Sequence, residues 1–210
     1  MKIETLDHVA LWVDERDALS DLLAAEFAMH VIERTDAFTL VGGDARHGKL
    51  TLFEAEGPRD PGALAEIAVL VPGAMEDGAV DGPGGVPLRR LPAENGVADL
   101  AYVAFRVPDP DATRTALLEL GFGAGDDGAL RVAGAEIVLE RGAPAVTERP
   151  LLNHLGLRVE SADEHIEEAR RRQLEIADVI DGPNTYSLFI WGPDGIKLEY
   201  VEHKPTFSLV

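Results

Sequence analysis

The sequence predicts an α+β fold built from repeated β-α-β-β-β modules, three near-complete and one degenerate. Three observations predict it. The stretch LDHVALWV at residues 6–13 is nearly restated as LNHLGLRV at residues 152–159. Each is followed by an amphipathic helical stretch and then by three short strand-like runs. Two further stretches, beginning ALAEIAVLV and DLAYVAFRV, start in the same way at a spacing of roughly fifty residues, the mark of an internally repeated architecture.

The first module covers residues 1–57. Its opening strand alternates between two faces, and DERDALSDLLAAEF reads as a helix with Leu19, Leu22, Leu23 and Phe27 on one side and Asp14 as the expected N-cap. MHVIER, FTLVG and GKLTLFEA come next as strands, set apart by a turn at Thr35–Ala37 and the loop GDARH. Residues 58–97 form the degenerate second module. ALAEIAVLV is a first strand there, but Gly73, Gly78, Gly82, Gly84 and Gly85 interrupt the stretch after it, so a full helix is not expected. The third module, residues 98–142, has a helix opened by Asp109 and Pro110 and closed by Gly121, then ALRVAG and AEIVLERG. A linker at 143–150 leads to the fourth, residues 151–210 with a C-terminal tail, where Ser161 and Glu164 carry the capping-box pattern before ADVID, YSLFIWG and IKLEYVEH.

With 210 residues and 46 % hydrophobic content the chain can bury a substantial core. It has no apolar run of membrane-spanning length and no signal-peptide pattern, so a cytoplasmic protein is expected. The absence of cysteine excludes disulfides, thiolate metal sites and cysteine nucleophiles, leaving His, Asp and Glu as metal donors. Asp and Glu outnumber Lys and Arg 38 to 19, and a formal charge of −19 argues against nucleic acid and anionic membranes as partners.

Aligned on their first strands, the four modules place His8, Glu66, Tyr102 and His154 in one position, so these side chains point the same way from their sheets. Aligned on their last strands, modules one, three and four place Thr51, Ile137 and Glu199 together. Had the two histidines been mere relics of duplication, they would have been free to drift as the Glu66 and Tyr102 positions have.

With these modules the chain resembles the vicinal oxygen chelate superfamily, which includes glyoxalases, bleomycin and fosfomycin resistance proteins, methylmalonyl-CoA epimerases and extradiol dioxygenases. The resemblance spans nearly the whole chain and is sharpest at GPDGIKLEYVE, where a Pro-Asp-Gly turn feeds a strand carrying the glutamate that matches the family's metal ligand. It implies paired modules whose curled mixed sheets form a metal-binding cleft, here between modules one and four. His8, His154 and Glu199 match the ligand positions, whereas Thr51 departs from the four-ligand glyoxalase pattern. Two imidazoles and one carboxylate make the facial triad of non-haem Fe(II) oxygenases. Ligands drawn from the first and last modules resemble the hydroquinone ring-cleaving branch of extradiol dioxygenases.

The resemblance therefore implies a ring-cleaving dioxygenase acting on a catechol- or hydroquinone-like aromatic and O₂. Fe(II) is the expected metal, with Mn(II), Zn(II) and Ni(II) as alternatives. A metal-dependent isomerase, lyase or thiol transferase of the glyoxalase type is the second reading, and a non-catalytic small-molecule-binding resistance protein the third. Trp12, Phe189 and Trp191 are candidate walls for a planar substrate, and His203 and Tyr186 candidate proton-transfer groups. Phe189 stands where ring-cleaving relatives carry a tyrosine, ten residues before the glutamate ligand. Tyr200 is expected to face away from the metal, Glu54 and Glu202 to be surface acids, His30, His47 and His165 to be solvated, and His203 to be exposed near the chain end. Because the second module is eroded, the third is expected to bury its face against another subunit, giving a homodimer.

Overall fold

The computed structural model describes residues 1–94, 96–125, 128–143 and 148–209. Of the expected linker, residues 144–147 lie outside the described residues; beyond them Leu151 N–H donates to the Asp60 carbonyl (2.7 Å).

Module one comprises β1 (Thr5–Val13), α1 (Arg16–Glu26), β2 (His30–Arg34), β3 (Phe38–Gly42) and β4 (Lys49–Glu54). Three strands succeed it without a helix: β5 (Leu64–Pro72), β6 (Gly78–Gly82) and β7 (Val86–Ala93), with a 3₁₀ turn at Pro83–Gly85. Next come β8 (Asp99–Val107), α2 (Pro110–Glu119), β9 (Gly123–Ala124), β10 (Leu130–Val132) and β11 (Ala135–Arg141). The chain ends with β12 (Leu152–Arg158), α3 (Ala162–Arg171), β13 (Ile176–Asp181), β14 (Thr185–Trp191) and β15 (Lys197–His203). No described helix is long and apolar enough to cross a membrane.

The strands form two mixed sheets. One is eight-stranded in the order β13-β14-β15-β12-β1-β4-β3-β2, so the first and last stretches of the chain pair edge to edge through antiparallel β12 and β1. The other is seven-stranded, β6-β7-β5-β8-β11-β10-β9, joined in the same way through β5 and β8. β6 and β7 were not expected from the sequence. Pro87 and Pro92 in β7 and the glycines around β6 hide their strand character; the prolines are tolerated because Pro87 lies outside the pairing with β5 and Pro92 outside the pairing with β6, so each faces a neighbour on one side alone. The third module thus has its companion sheet within the chain, which removes the ground on which a dimer was expected.

One contiguous core joins both sheets and all three helices, with Leu19 and Leu23 of α1, Leu117 of α2 and Ile166 of α3 among its members. Helix starts agree with the sequence except at α1. Asp109 accepts from the backbone N–H groups of Asp111 and Ala112, and Ser161 from that of Glu164. The N-cap of α1 is Glu15 rather than Asp14, and its side chain makes no cap; its Oε2 instead accepts from Gly84 N–H (3.0 Å) in the 3₁₀ turn of the other sheet. Tyr200, fully buried, donates its hydroxyl to the Leu120 carbonyl (2.8 Å) and ties β15 to the end of α2. His165 stacks on Tyr200 with ring centroids 5.1 Å apart and is buried, not solvated as expected from its charge-rich helix.

Replacing Tyr200 by Phe keeps the ring and removes this bond, leaving a buried carbonyl without that donor. A loss of about 1 kcal/mol is expected in urea denaturation, with no change in metal binding.

Candidate metal centre

The central pair β1–β12 contains two register irregularities. Leu6 pairs with Leu157 and His8 with Gly156, which leaves Asp7 as an extra residue; Ala10 pairs with His154 and Leu11 with Leu152, which leaves Asn153 extra. A bulge places two consecutive residues on one face of a strand. Leu6 and Val9 both enter the core, while Asp7 and His8 both line the cavity on the opposite face. The effect on β12 is the same: Leu152 and Leu155 enter the core, and the side chain of Asn153 lies against His154.

Each bulge residue then hydrogen-bonds the histidine next to it. His8 Nδ1–H donates to Asp7 Oδ2 (2.8 Å), and His154 Nδ1–H donates to Asn153 Oδ1 (3.1 Å). These bonds fix the tautomers, leaving both Nε2 atoms as lone-pair donors that face one another. Space for the His8 ring comes from Gly156 opposite it, where a Cβ would lie 2.4 Å from the imidazole.

The two Nε2 atoms are 2.9 Å apart, and Glu199 Oε2 lies 3.1 Å from the first and 3.0 Å from the second. All three residues are buried, and Oε2 has no aligned hydrogen-bond donor. Such a dry triangle needs a positive charge within it, either a proton on His8 or a metal ion in the proton's place. Donor atoms bound at about 2.1 Å and at right angles would be about 3.0 Å apart, so this triangle fits one face of an octahedron. Among the described residues His8, His154 and Glu199 form the one group of three that could hold a metal ion.

Behind His8 the network continues. Asp7 Oδ1 accepts from Lys49 Nζ (3.0 Å) and from His203 Nε2 (2.9 Å), and Lys49 also donates to the Ala45 carbonyl (2.7 Å). Burial alone would raise Asp7, but Lys49, His203 and His8 outweigh it and hold the carboxyl far below its usual range. Burial opposes charge on His8, yet its bond to Asp7 and the Glu199 carboxylate beside it prevail and raise it to about 9. In His154 burial dominates and lowers the pKa. Burial would raise Glu199 as well, but the imidazoles of His154 and His8 outweigh it and keep it ionised.

The triad opens onto a cavity of about 540 Å³. No family model and no curated relative matches the chain. Among solved structures a Bacillus subtilis protein described as a "putative dioxygenase" superposes with a TM-score of 0.78 at 17 % identity, covering 98 % of this chain and 87 % of its own. Glyoxalase I from Zea mays gives 0.69 at 16 % identity, covering 95 % and 92 %. The chain shares the fold of these proteins. The cppA protein of Streptococcus pneumoniae matches at 0.62 and 12 % identity, covering 96 % of this chain and all of its own.

Within this fold the expected site residues separate. Phe189 lines the cavity and meets His154 edge-on, with centroids 5.1 Å apart. His203 also lines it and is buried rather than exposed, with Phe207 of the C-terminal tail stacked on its ring at 4.1 Å. Trp12, Trp191 and Tyr186 do not line it. Trp12 packs against Phe53, which does; Trp191 is 43 % exposed beside Lys197; and the Tyr186 hydroxyl donates to Asp163 on α3. Tyr200 faces the core and Glu54 is exposed, as expected, whereas Glu202 is half-buried and accepts from Ala162 N–H at the start of α3. His30 is exposed, and His47 is half-buried against Asp99.

The other sheet repeats the design without its donors. Ala65 and Ala101 occupy its bulges, Glu66 stands where His8 does and Tyr102 where His154 does. The strand register places Arg89 and Val138 in the positions of Thr51 and Glu199. This corrects the alignment by one residue, since Ile137 belongs to the core. Arg89 Nε donates to Glu66 (2.9 Å) and the Tyr102 hydroxyl donates to the same carboxylate, so a guanidinium supplies the positive charge there.

The metal centre is open to two tests. Gly156→Ala pushes a methyl group into the His8 ring and is expected to weaken metal binding by more than about tenfold, read by competition with a chromophoric chelator. The pH dependence has opposite signs with and without metal. His8 is raised from 6.5 to about 9, so its contribution to metal-free stability is complete below 6.5 and is lost as pH climbs to 9. Glu199 is depressed from 4.5, so its contribution is complete above 4.5 and is lost as pH falls. Metal must displace the His8 proton, so Zn(II) affinity is expected to rise about tenfold per pH unit towards 9 while the metal-free urea midpoint falls.

Proposed function

We propose that the protein is a metal-dependent ring-cleaving dioxygenase of the extradiol type, acting on a catechol- or hydroquinone-like aromatic with O₂. The observation that carries this reading is the three-donor triangle at the foot of an aromatic-walled cavity, a face that leaves coordination positions for two small reactants. His8, His154 and Glu199 would hold Fe(II), which when bound supplies Lewis acidity towards the diol and the electron exchange that dioxygen needs.

The remaining work falls to the chain itself. Phe53 and Phe189 flank His154 with centroids 6.3 and 5.1 Å away and orient a planar ring. The apolar wall excludes water, which strengthens the electrostatics inside. Proton transfer cannot use the family phenol, because its position is Phe189. His203 takes that role. Its Nε2–H donates to Asp7 and its Nδ1 is enclosed without a partner; once a substrate displaces the stacked Phe207, Nδ1 would accept a hydroxyl proton. Asp7 then stabilises the imidazolium that forms.

The isomerase reading ranks lower because it calls for a second carboxylate where Thr51 offers a hydroxyl. The drug-binding reading leaves the converging donors without a purpose.

Anaerobic reconstitution with Fe(II) and oxygen-uptake measurements on a panel of catechols and hydroquinones test the proposal. Uptake with ring-opened product is expected; stoichiometric iron with no uptake on any of them would turn the reading towards isomerisation. Glu199→Gln is expected to lower metal affinity by more than about a hundredfold. In contrast, His203→Gln is expected to keep its metal and lose about 10²–10⁴ in kcat, with the acidic limb of its pH profile, which a general base controls, altered.

A further inference from the structure

The shape and charge of the cavity narrow the substrate further. Its walls include Phe38, Leu40, Phe53, Ile180 and Phe189, with Phe207 of the tail. Apart from histidines, Lys49 is the one cationic side chain among the described residues lining it. That ammonium is unavailable: it is buried, and both Asp7 Oδ1 and the Ala45 carbonyl hold it. Glu33, also on the lining, adds negative charge, within a chain of net charge −19. A carboxylated or phosphorylated ring entering here would shed its hydration against apolar walls and find no counter-charge.

Size points the same way. About 540 Å³ lies within the roughly 300–1,000 Å³ of sites that enclose drug-sized ligands. The donor triangle would anchor the two oxygens of a diol at one end, so most of the volume is left for whatever the ring carries.

We propose that the site takes an uncharged aromatic diol bearing an apolar alkyl or aryl substituent and rejects carboxylated diols. The diol part rests on the dioxygenase reading; the selectivity rests on the cavity walls alone.

The test uses the intact protein loaded anaerobically with Fe(II) and titrated by calorimetry with catechol, 4-ethylcatechol, 4-butylcatechol and 3,4-dihydroxyphenylacetate, and then oxygen uptake on each. Affinity is expected to rise roughly three- to fourfold per added methylene, and the carboxylate to bind at least about tenfold more weakly than the ethyl compound. Equal affinity for the carboxylate, no dependence on chain length, or no binding of any of the four overturns the proposal. Alkyl-selective binding without oxygen uptake keeps the substrate class and ends the ring-cleavage reading. Oxygen uptake without selectivity does the reverse. Ile180→Lys supplies the missing charge from a position 48 % exposed on outer strand β13, where folding tolerates it. In this variant 3,4-dihydroxyphenylacetate is expected to gain at least about fivefold in affinity; an unchanged preference counts against the proposal.

Discussion

Two antiparallel strands from distant parts of the chain, β1 and β12, each carry one residue too many for their partner, and everything at the candidate metal centre depends on where those residues sit. A regular ladder would send Asp7 and His8 to opposite faces. The bulge turns both towards the cavity, so the carboxylate can hold the ring beside it. The same device on β12 gives Asn153 to His154. Because β15 runs parallel to β12 with Glu199 opposite Gly156, and Gly156 is opposite His8, one backbone position sets the distance between a ligand from the first module and a ligand from the last.

The second sheet shows what the device does when the donors change. Its bulges survive at Ala65 and Ala101, so the backbone irregularity belongs to the fold and not to metal binding. The partner has been lost along with the donor: where there is no histidine, no Asp or Asn precedes. Glu66 and Tyr102 still converge, but Arg89 neutralises them from within, and burial together with the Glu66 bond pushes the Tyr102 hydroxyl up to about 12. One duplicated scaffold therefore carries an open donor triangle on one sheet and a self-satisfied ion pair on the other.

Much of this was legible in the sequence because period and register are local. The alternation of LDHVALWV and LNHLGLRV aligned His8 with His154, and GPDGIKLEYVE placed Glu199 on the right face. The features that escaped depend on neighbours. β6 and β7 are rich in Gly and Pro and gain their order from β5. Asp7 and Lys49 form a buried pair across two strands, and neither residue announces it. Trp12 and Trp191 have the composition of a substrate wall without the direction, since alternation assigns a face only once the face of the cavity is known. Ile137 misled by one residue because strand ends drift in an ungapped alignment, whereas hydrogen-bonded register does not.

His8 and His154 lie 146 residues apart in sequence, and Glu199 is farther still from His8. Contacts of such separation require long loops to close, a cost in chain entropy that the paired strands must offset. The donor triangle therefore marks completion: with either half of the eight-stranded sheet unpaired its three groups stay apart, and their convergence reports that the two ends of that sheet have met.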